Sequence, residues 1–287
     1  MGGEPQIEFI PQLPLDTSGR CCSYEHMSTS YEREQQLLEF VQSNGSVSIE
    51  DLARSFNLTP QSIRRLVNRL ADQGKLKRSH GGVSWPAAGA NLEYKTRQVL
   101  HLSEKRLIAA EVARFVPNGV SLFIGLGTTP ECVAVALGEH SDLRVFTNSL
   151  NVAAALSANP GIDITIAGGQ LRRRDRDVIG SGAVSFFRRY KVDFSIFGVG
   201  GVDPDGMLLD FDEGEVEARE AMVEGSRRSL LVADHTKFGR SVPVRGGTIA
   251  EVDHLFTDRL PPPEFMAAIR KGNVQVHHPP DDRVTAA

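Results

Sequence analysis

Apolar residues return at helical intervals through the first third of the chain and in short unbroken runs through the rest. From Tyr31 onward, Leu37, Phe40 and Val41 recur at the spacing of one helix face, and Asn44-Gly45 supplies a stop. Ser48 followed by Asp51 has the form of a capping box and opens a second helix, with Ile49, Leu52, Ala53 and Phe56 on its inner side. Asn57-Leu58 reads as a turn. Thr59 caps a third helix, with Pro60 at its first position, where a missing N–H costs nothing. At about 100° per residue, Ile63, Leu66, Val67 and Leu70 share one arc, while Gln61, Arg64, Arg65, Asn68 and Arg69 take the other. Gly74 ends this helix, and "KLKRSHGGVSW" then offers two short strands about Gly81-Gly82, as in the wing of a winged helix-turn-helix.

"PAAGANLEYKTRQ", from Pro86, has small, polar and charged residues with no firm period, so residues 86–101 are assigned to a linker. Ser103 is the expected cap of a following helix that carries Leu107, Ile108, Val112 and Phe115 and stops at Pro117-Asn118-Gly119. Then come "VSLFIG", "LRVFTN", "IDITIAGG", "VDFSIFGVGG", "RSLLVAD" and "VDHLFTD". Such runs, alternating with helices, predict an α/β unit whose mostly parallel sheet is covered on both faces. The expected organisation is a disordered extension (1–29), a winged helix-turn-helix (30–85), the linker, an α/β sensor and oligomerisation domain (102–279) and a short tail (280–287). Residues 1–26 lack the basic start and apolar core of a signal peptide and are read as lying upstream of a start at Met27.

Charge changes this picture locally. The chain has a formal net charge of −4, yet "TPQSIRRLVNRLADQGKLKRSHGG" sets six lysines and arginines against one acid, Asp72. A short turn between two helices, the second displaying arginines and amides outward, fits a helix into a DNA major groove. Arg64 and Arg65 suit guanine edges or phosphates, Gln61 and Asn68 suit adenine, and Lys75, Lys77, Arg78 and His80 suit phosphates; Thr59, Ser62 and Arg69 complete the candidate DNA-binding face. The plainer reading, a solvated arginine-rich helix or a protein-docking module, explains neither the capped trihelical pattern nor the basic wing. No apolar run approaches a membrane span, so no membrane partner is expected. Cys21, Cys22 and Cys132 form no C-x-x-C pair, so neither a metal site nor a disulfide framework is expected, in keeping with a reducing cytoplasm.

In the larger unit, "LFIGLGTTPE" runs from a strand through Gly125, Gly127, Thr128 and Thr129 into a helix. A glycine-rich turn feeding a helix N-terminus presents free N–H groups, and threonine hydroxyls complete an anion cradle. The stretch is neither a P-loop nor G-x-G-x-x-G, and no cofactor is expected. Thr147, Asn148 and Ser149, then Gly168, Gly169 and Arg172, also follow strands, and Asp234 and Lys237 come later. Open α/β sheets bind ligands at the carboxyl ends of strands, and this set suits a phosphorylated metabolite. Taken singly, Asn148 could cap a helix, and Arg172 or Lys237 could simply face water.

The segment from Arg33 to Val83, with Ile63-Arg64-Arg65 and His80-Gly81-Gly82, resembles the DeoR-type helix-turn-helix of bacterial sugar-metabolism regulators. "GTTPE", "TNSLNVA", "AGGQLRRRD", "LLDFDEGEVEAREAM", "DHTKFGR" and "VDHLFTD" resemble the same family's sensor domain, which is similar to ribose-5-phosphate isomerase. The resemblance runs over about 250 residues, from Tyr31 to His278. It implies a repressor of a carbon-catabolism operon, binding double-stranded operator DNA as a homodimer or homotetramer. It implies release by a phosphorylated small-molecule effector, glycerol 3-phosphate or another sugar phosphate, at Thr128, Thr129, Asn148, Gly169 and Lys237. Two positions depart from the family pattern: Leu66-Val67 stands where Asp-Leu is usual, and Gly125 where an aspartate is usual. The competing class is a sugar-phosphate isomerase with an accessory DNA-binding head, for which Asp203, Asp205, Glu215, Asp234 and Lys237 are the available acid–base groups.

Overall fold

The computed structural model describes residues 33–34, 36–42, 44–72, 75–79, 81–84 and 91–280. The expected extension, the helix stop at Gly74, His80, the start of the linker and nearly all of the tail lie outside the described residues. The chain divides into two compact units between Trp85 and Pro86.

In the first unit, α1 (helical residues between 33 and 44) precedes β1 (Ser46–Ser48), α2 (Ile49–Ser55), α3 (Pro60–Asp72), β2 (Lys77–Ser79) and β3 (Gly82–Ser84). Leu37, Leu38, Val41, Leu52, Ile63, Val67 and Leu70 are buried together with Leu76 and Val83 of the wing. The Ser48 hydroxyl accepts the Asp51 N–H at 3.0 Å and donates to the Asp51 carboxylate at 2.7 Å. Thr59 Oγ1 accepts the Ser62 N–H at 3.2 Å. The wing has a strand not anticipated from sequence: β1 pairs antiparallel with β3, giving the order β1-β3-β2. Three residues are too few for alternation to show. Gly82 makes the pairing feasible, because a Cβ there would lie 2.3 Å from the Val47 carbonyl oxygen.

The second unit is built on a seven-stranded sheet in the order β13-β12-β10-β7-β4-β5-β6, parallel at every neighbouring pair. Its strands are β4 (Ser121–Ile124), β5 (Leu143–Thr147), β6 (Ile162–Ile166), β7 (Val192–Phe197), β10 (Ser226–Val232), β12 (His254–Phe256) and β13 (Gln275–His277). Alternation sends Phe123 into one core with Phe187 and Leu231, and Leu122 and Ile124 into a second core with Ile108 and Val133. A sheet buried on both faces explains why these strands read as continuous apolar runs. Helices α5 (Leu102–Phe115), α6 (Thr128–Ala136), α7 (Leu150–Leu156), α8 (Ser181–Phe187), α9 (Glu213–Glu224) and α10 (Met266–Lys271) surround it. A small antiparallel sheet, β8 (Gly201–Val202), β9 (Met207–Asp210) and β11 (Val244–Thr248), was not expected from the strand count.

Two local expectations are corrected. Ser103 does not cap α5: His101, with φ of 52°, holds the N-cap position, and the Ser103 hydroxyl donates to Glu104 at 2.8 Å. The linker is not bare coil either, because Tyr94–Val99 form helix α4 with Tyr94, Thr96 and Val99 buried. Six residues make too few turns for a helical period to emerge.

Phe123→Ala is expected to cost about 3–5 kcal/mol, as for other fully buried aromatics, measured as a shift of the urea midpoint at unchanged slope.

Candidate functional site

The β4–α6 connection passes through Gly125, Leu126 and Gly127, and α6 begins at Thr128. Gly127 has φ of 124°, a conformation open to glycine, and a Cβ would press on the Pro130 ring at 3.1 Å. This tight turn aims the first amides of α6 into a crevice at the carboxyl ends of β4, β7 and β10. Its outer part, about 40 Å³, is lined by Gly127, Thr128, Thr129, Lys237, Arg97 and Arg240 among others. A deeper part, about 20 Å³, reaches Gly125, Asn148, Phe197, Ala218 and Met222. Leu126, Gly198, Asp210 and Glu215 line both.

The outer part is cationic. Burial pushes the Lys237 ammonium down to about 7, against the pull of Asp234. Burial lowers Arg240 as well, and Lys105 behind it. Burial alone would raise Asp234, but Lys237, Lys105 and the Thr236 hydroxyl outweigh it and hold the carboxyl at about 2. Asp234 also accepts the Thr236 N–H at 3.0 Å, and Asp210 interacts with Lys237 as well. A buried ammonium lowered in this way is favoured in its charged form by an added anion.

Acidic groups floor the crevice. Asp210 accepts from Arg219 Nη2 at 3.0 Å and from the Gly200 N–H at 2.7 Å, yet burial still raises its pKa. Burial raises Glu215 to about 7, with Asp210 adding to the rise and Arg172 opposing it. Arg172 donates to Asp177 at 2.9 and 2.7 Å and to Glu215 at 2.5 Å. Asn148 is 1 % exposed; its Nδ2 donates to the Val178 carbonyl at 2.8 Å, and its buried Oδ1 has no partner among the described residues.

Of the effector residues expected from sequence, the crevice brings together Gly127, Thr128, Thr129, Asn148 and Lys237. The others lie outside its lining. Thr147 Oγ1 accepts the Ser149 N–H at 3.0 Å, and Ser149 caps α7. Asp234 caps the turn that carries Lys237. Arg172 grips Asp177 and Glu215, while Gly168 and Gly169 line neither part; a Cβ on Gly169 would sit 2.8 Å from Val178 Cγ1.

Sequence reading missed Arg97, Arg240, Asp210 and Arg219. Arg97 lies in the segment expected to be linker, and its Nη2 donates to Asp175 while its Nε holds the Leu92 carbonyl at 3.1 Å. The rest of α4 is tied to the same turn. Tyr94 donates to Glu131 at 2.7 Å, with Gly127 O at 3.4 Å; Gln98 donates to Glu131 at 3.0 Å; Lys105 caps the Arg97 and Leu100 carbonyls. An asymmetric cluster of Tyr94, Arg97 and Gln98 inside a nominal linker was the available signal.

In the first unit, Gln61, Ser62, Arg64, Arg65, Asn68 and Arg69 are exposed on α3, and Lys77 and Arg78 on β2. Arg64 lies 3.5 Å from Glu50, and Arg69 pairs with Glu34. Lys75 differs from expectation: its side chain is only 12 % exposed and sits 3.8 Å from Glu34, which suits holding α1 to the end of α3 better than reaching a phosphate.

An exposed basic recognition helix with a wing, in a chain that also carries an α/β unit with a cationic crevice, defines a ligand-responsive DNA-binding regulator. The chain belongs to the DeoR family: residues 33–87 match the DeoR-like helix-turn-helix domain and residues 100–259 the DeoR C terminal sensor domain. It is 43% identical over 245 residues to the glycerol-3-phosphate regulon repressor of Escherichia coli K12, covering 85% of this chain and 97% of that protein. The Haemophilus influenzae protein of the same name is 44% identical over 80% of this chain and 89% of its own. The E. coli repressor CsqR is 37% identical over 88% of this chain and 97% of its own. Among solved structures, ribose 5-phosphate isomerase from Plasmodium falciparum aligns over 47% of this chain and 52% of its own, with 17% identity and a TM-score of 0.35. At that level the likeness says nothing about activity. No described helix is long and apolar enough to cross a membrane.

Arg219→Met removes the partner of buried Asp210 and is expected to cost about 3–5 kcal/mol at pH 7 by chemical denaturation. The raised folded-state pKa of Asp210 fixes the sign: the loss shrinks as pH falls through it towards the ordinary carboxylate range.

Proposed function

We propose that the chain is a transcriptional repressor of a glycerol-3-phosphate-type catabolic operon, released from its operator when glycerol 3-phosphate occupies the crevice. The observation that carries the effector reading is the buried cationic end of the crevice, with Lys237 held near pKa 7 beside the α6 N-terminus. The ester's phosphate lies against the Gly127–Thr129 turn, Lys237, Arg97 and Arg240, and the unpartnered Asn148 Oδ1 receives a ligand hydroxyl. The names of the relatives support the choice of ester, and the small crevice favours a compact one.

Thr59, Gln61, Ser62, Arg64, Arg65, Asn68, Arg69, Lys77 and Arg78 form the DNA-facing set. Two such heads on a homodimer or homotetramer engage two half-sites. Coupling requires the ligand to bind one arrangement of the heads better than the other, by about 1–3 kcal/mol. The competing reading, an isomerase, draws on Glu215 and Lys237, both poised near neutrality. Glu215 is committed to Arg172, and the protein is read as a cytoplasmic sensor that does not turn its ligand over. Conversion of ribose 5-phosphate, abolished by Lys237→Ala, would reverse that assignment.

Fluorescence anisotropy on its operator is expected to show weaker DNA binding in the presence of glycerol 3-phosphate, and an unchanged affinity contradicts the effector assignment. The ligand dianion keeps Lys237 protonated in the complex, whereas in the free protein the ammonium deprotonates above about pH 7. Ester affinity is therefore level just below pH 7 and falls by up to about tenfold per unit above it. Lys237→Met weakens binding by about ten- to a hundredfold and flattens that slope.

For DNA, Arg65→Ala is expected to cost about 1–3 kcal/mol of operator affinity, while Lys77→Ala weakens all sequences alike and lowers the salt slope by about 1. Equal salt slopes for wild type and Lys77→Ala contradict the phosphate role.

A further inference from the structure

The two ends of the crevice differ in chemistry. The outer end gathers Lys237, Arg97 and Arg240 with the helix amides; the inner end has none of these three cations and, beside Asn148, Arg219 and the shared Asp210 and Glu215, is walled by Gly125, Phe197, Ala218 and Met222. A phosphate ester entering by its charged group therefore points its carbon chain inward. What it meets there is Met222, on the inner face of α9 and 2 % exposed. The Met222 Sδ and Cε lie 3.3 Å from where a Cβ on Gly125 would be, so the thioether occupies the space that a side chain at position 125 would otherwise take. The inner end keeps only about 20 Å³. Phe197 and Arg219 also line a separate, more open pocket of about 220 Å³ that includes Glu220, Glu224, Thr248 and Glu251 but not Met222.

We infer that Met222, seated against Gly125, is the specificity-determining residue that gauges the carbon chain of the ester and restricts the site to short polyol phosphates. This rests on the crevice being the effector site, and it goes further by naming the residue that separates three-carbon from longer ligands. Met222 touches the end of the chain remote from the phosphate, so its removal changes selectivity by length without removing the anion contacts. A methionine suits such a stop: it fills irregular space and leaves hydroxyl recognition to Asn148 and the other polar groups of this end.

Calorimetry on the full chain with glycerol 3-phosphate, erythritol 4-phosphate and glucitol 6-phosphate tests this. Wild type is expected to prefer the three-carbon ester over the six-carbon one by at least about tenfold, a step worth about 1.4 kcal/mol. Met222→Ala is expected to shrink that ratio at least about tenfold by gaining affinity for the longer esters, and Met222→Leu, which keeps the volume, to retain it. A Met222→Ala protein with the wild-type ratio overturns the inference. Should Met222→Ala not fold, Gly125→Ala supplies the opposite test: its Cβ crowds Met222 and should disfavour the four-carbon ester further, and an unchanged ratio there also overturns it. Wild type that binds none of the three esters would refute the effector reading itself, a result separate from a loss of length discrimination.

Discussion

The burial of Lys237 among neighbouring cations at the crevice is the constraint on which the sensor unit depends. Lys237, Lys105, Arg97 and Arg240 gather near the α6 N-terminus, with Asp234 and Asp210 among the carboxylates that face Lys237. In a low-dielectric site such an arrangement either sheds protons or takes up an anion. The depression of Lys237 to about 7 is the first response, and uptake of an anion is the proposed second one. Asp234 accepts from Thr236, Asp175 pairs with Arg97, and Asp210 also interacts with Lys237.

That constraint orders the surrounding structure. The parallel sheet places Gly127, Gly198 and the turn bearing Lys237 at one end of adjacent strands, and the antiparallel β8–β9–β11 sheet delivers Asp210 to the floor. The Arg172–Asp177–Glu215 and Arg219–Asp210 groups hold the floor acids in place, and Asp210 also interacts with Lys237. Helix α4 lies against the same turn through Tyr94, Gln98 and Arg97. A ligand that draws on the Arg97 guanidinium competes with Asp175, giving α4 a direct stake in occupancy.

Much of this was legible in the chain. The helix-turn-helix showed itself because Ile63, Val67 and Leu70 keep strict helical spacing over thirteen residues while arginines take the other face. Gly127, Thr128, Thr129, Asn148 and Lys237 were legible because glycines and polar residues directly after apolar runs mark strand ends. Arg97 and Arg240 were not, since each sits in a stretch too short or irregular to show a period and becomes part of the site only through tertiary folding. Strand β1 and the β8–β9–β11 sheet escaped for the same reason. Gly168 and Gly169 lie outside the crevice lining, and at Gly169 the absent side chain makes room for Val178, a packing role that sequence does not separate from ligand access.

The most direct measurement is a crystal structure of the full chain grown with saturating glycerol 3-phosphate. The phosphate is expected within hydrogen-bonding distance of the Gly127–Thr129 turn and Lys237 Nζ, with the carbon chain directed at Asn148 and Met222. A phosphate bound elsewhere on the chain, with this crevice left without ligand at saturation, would contradict it.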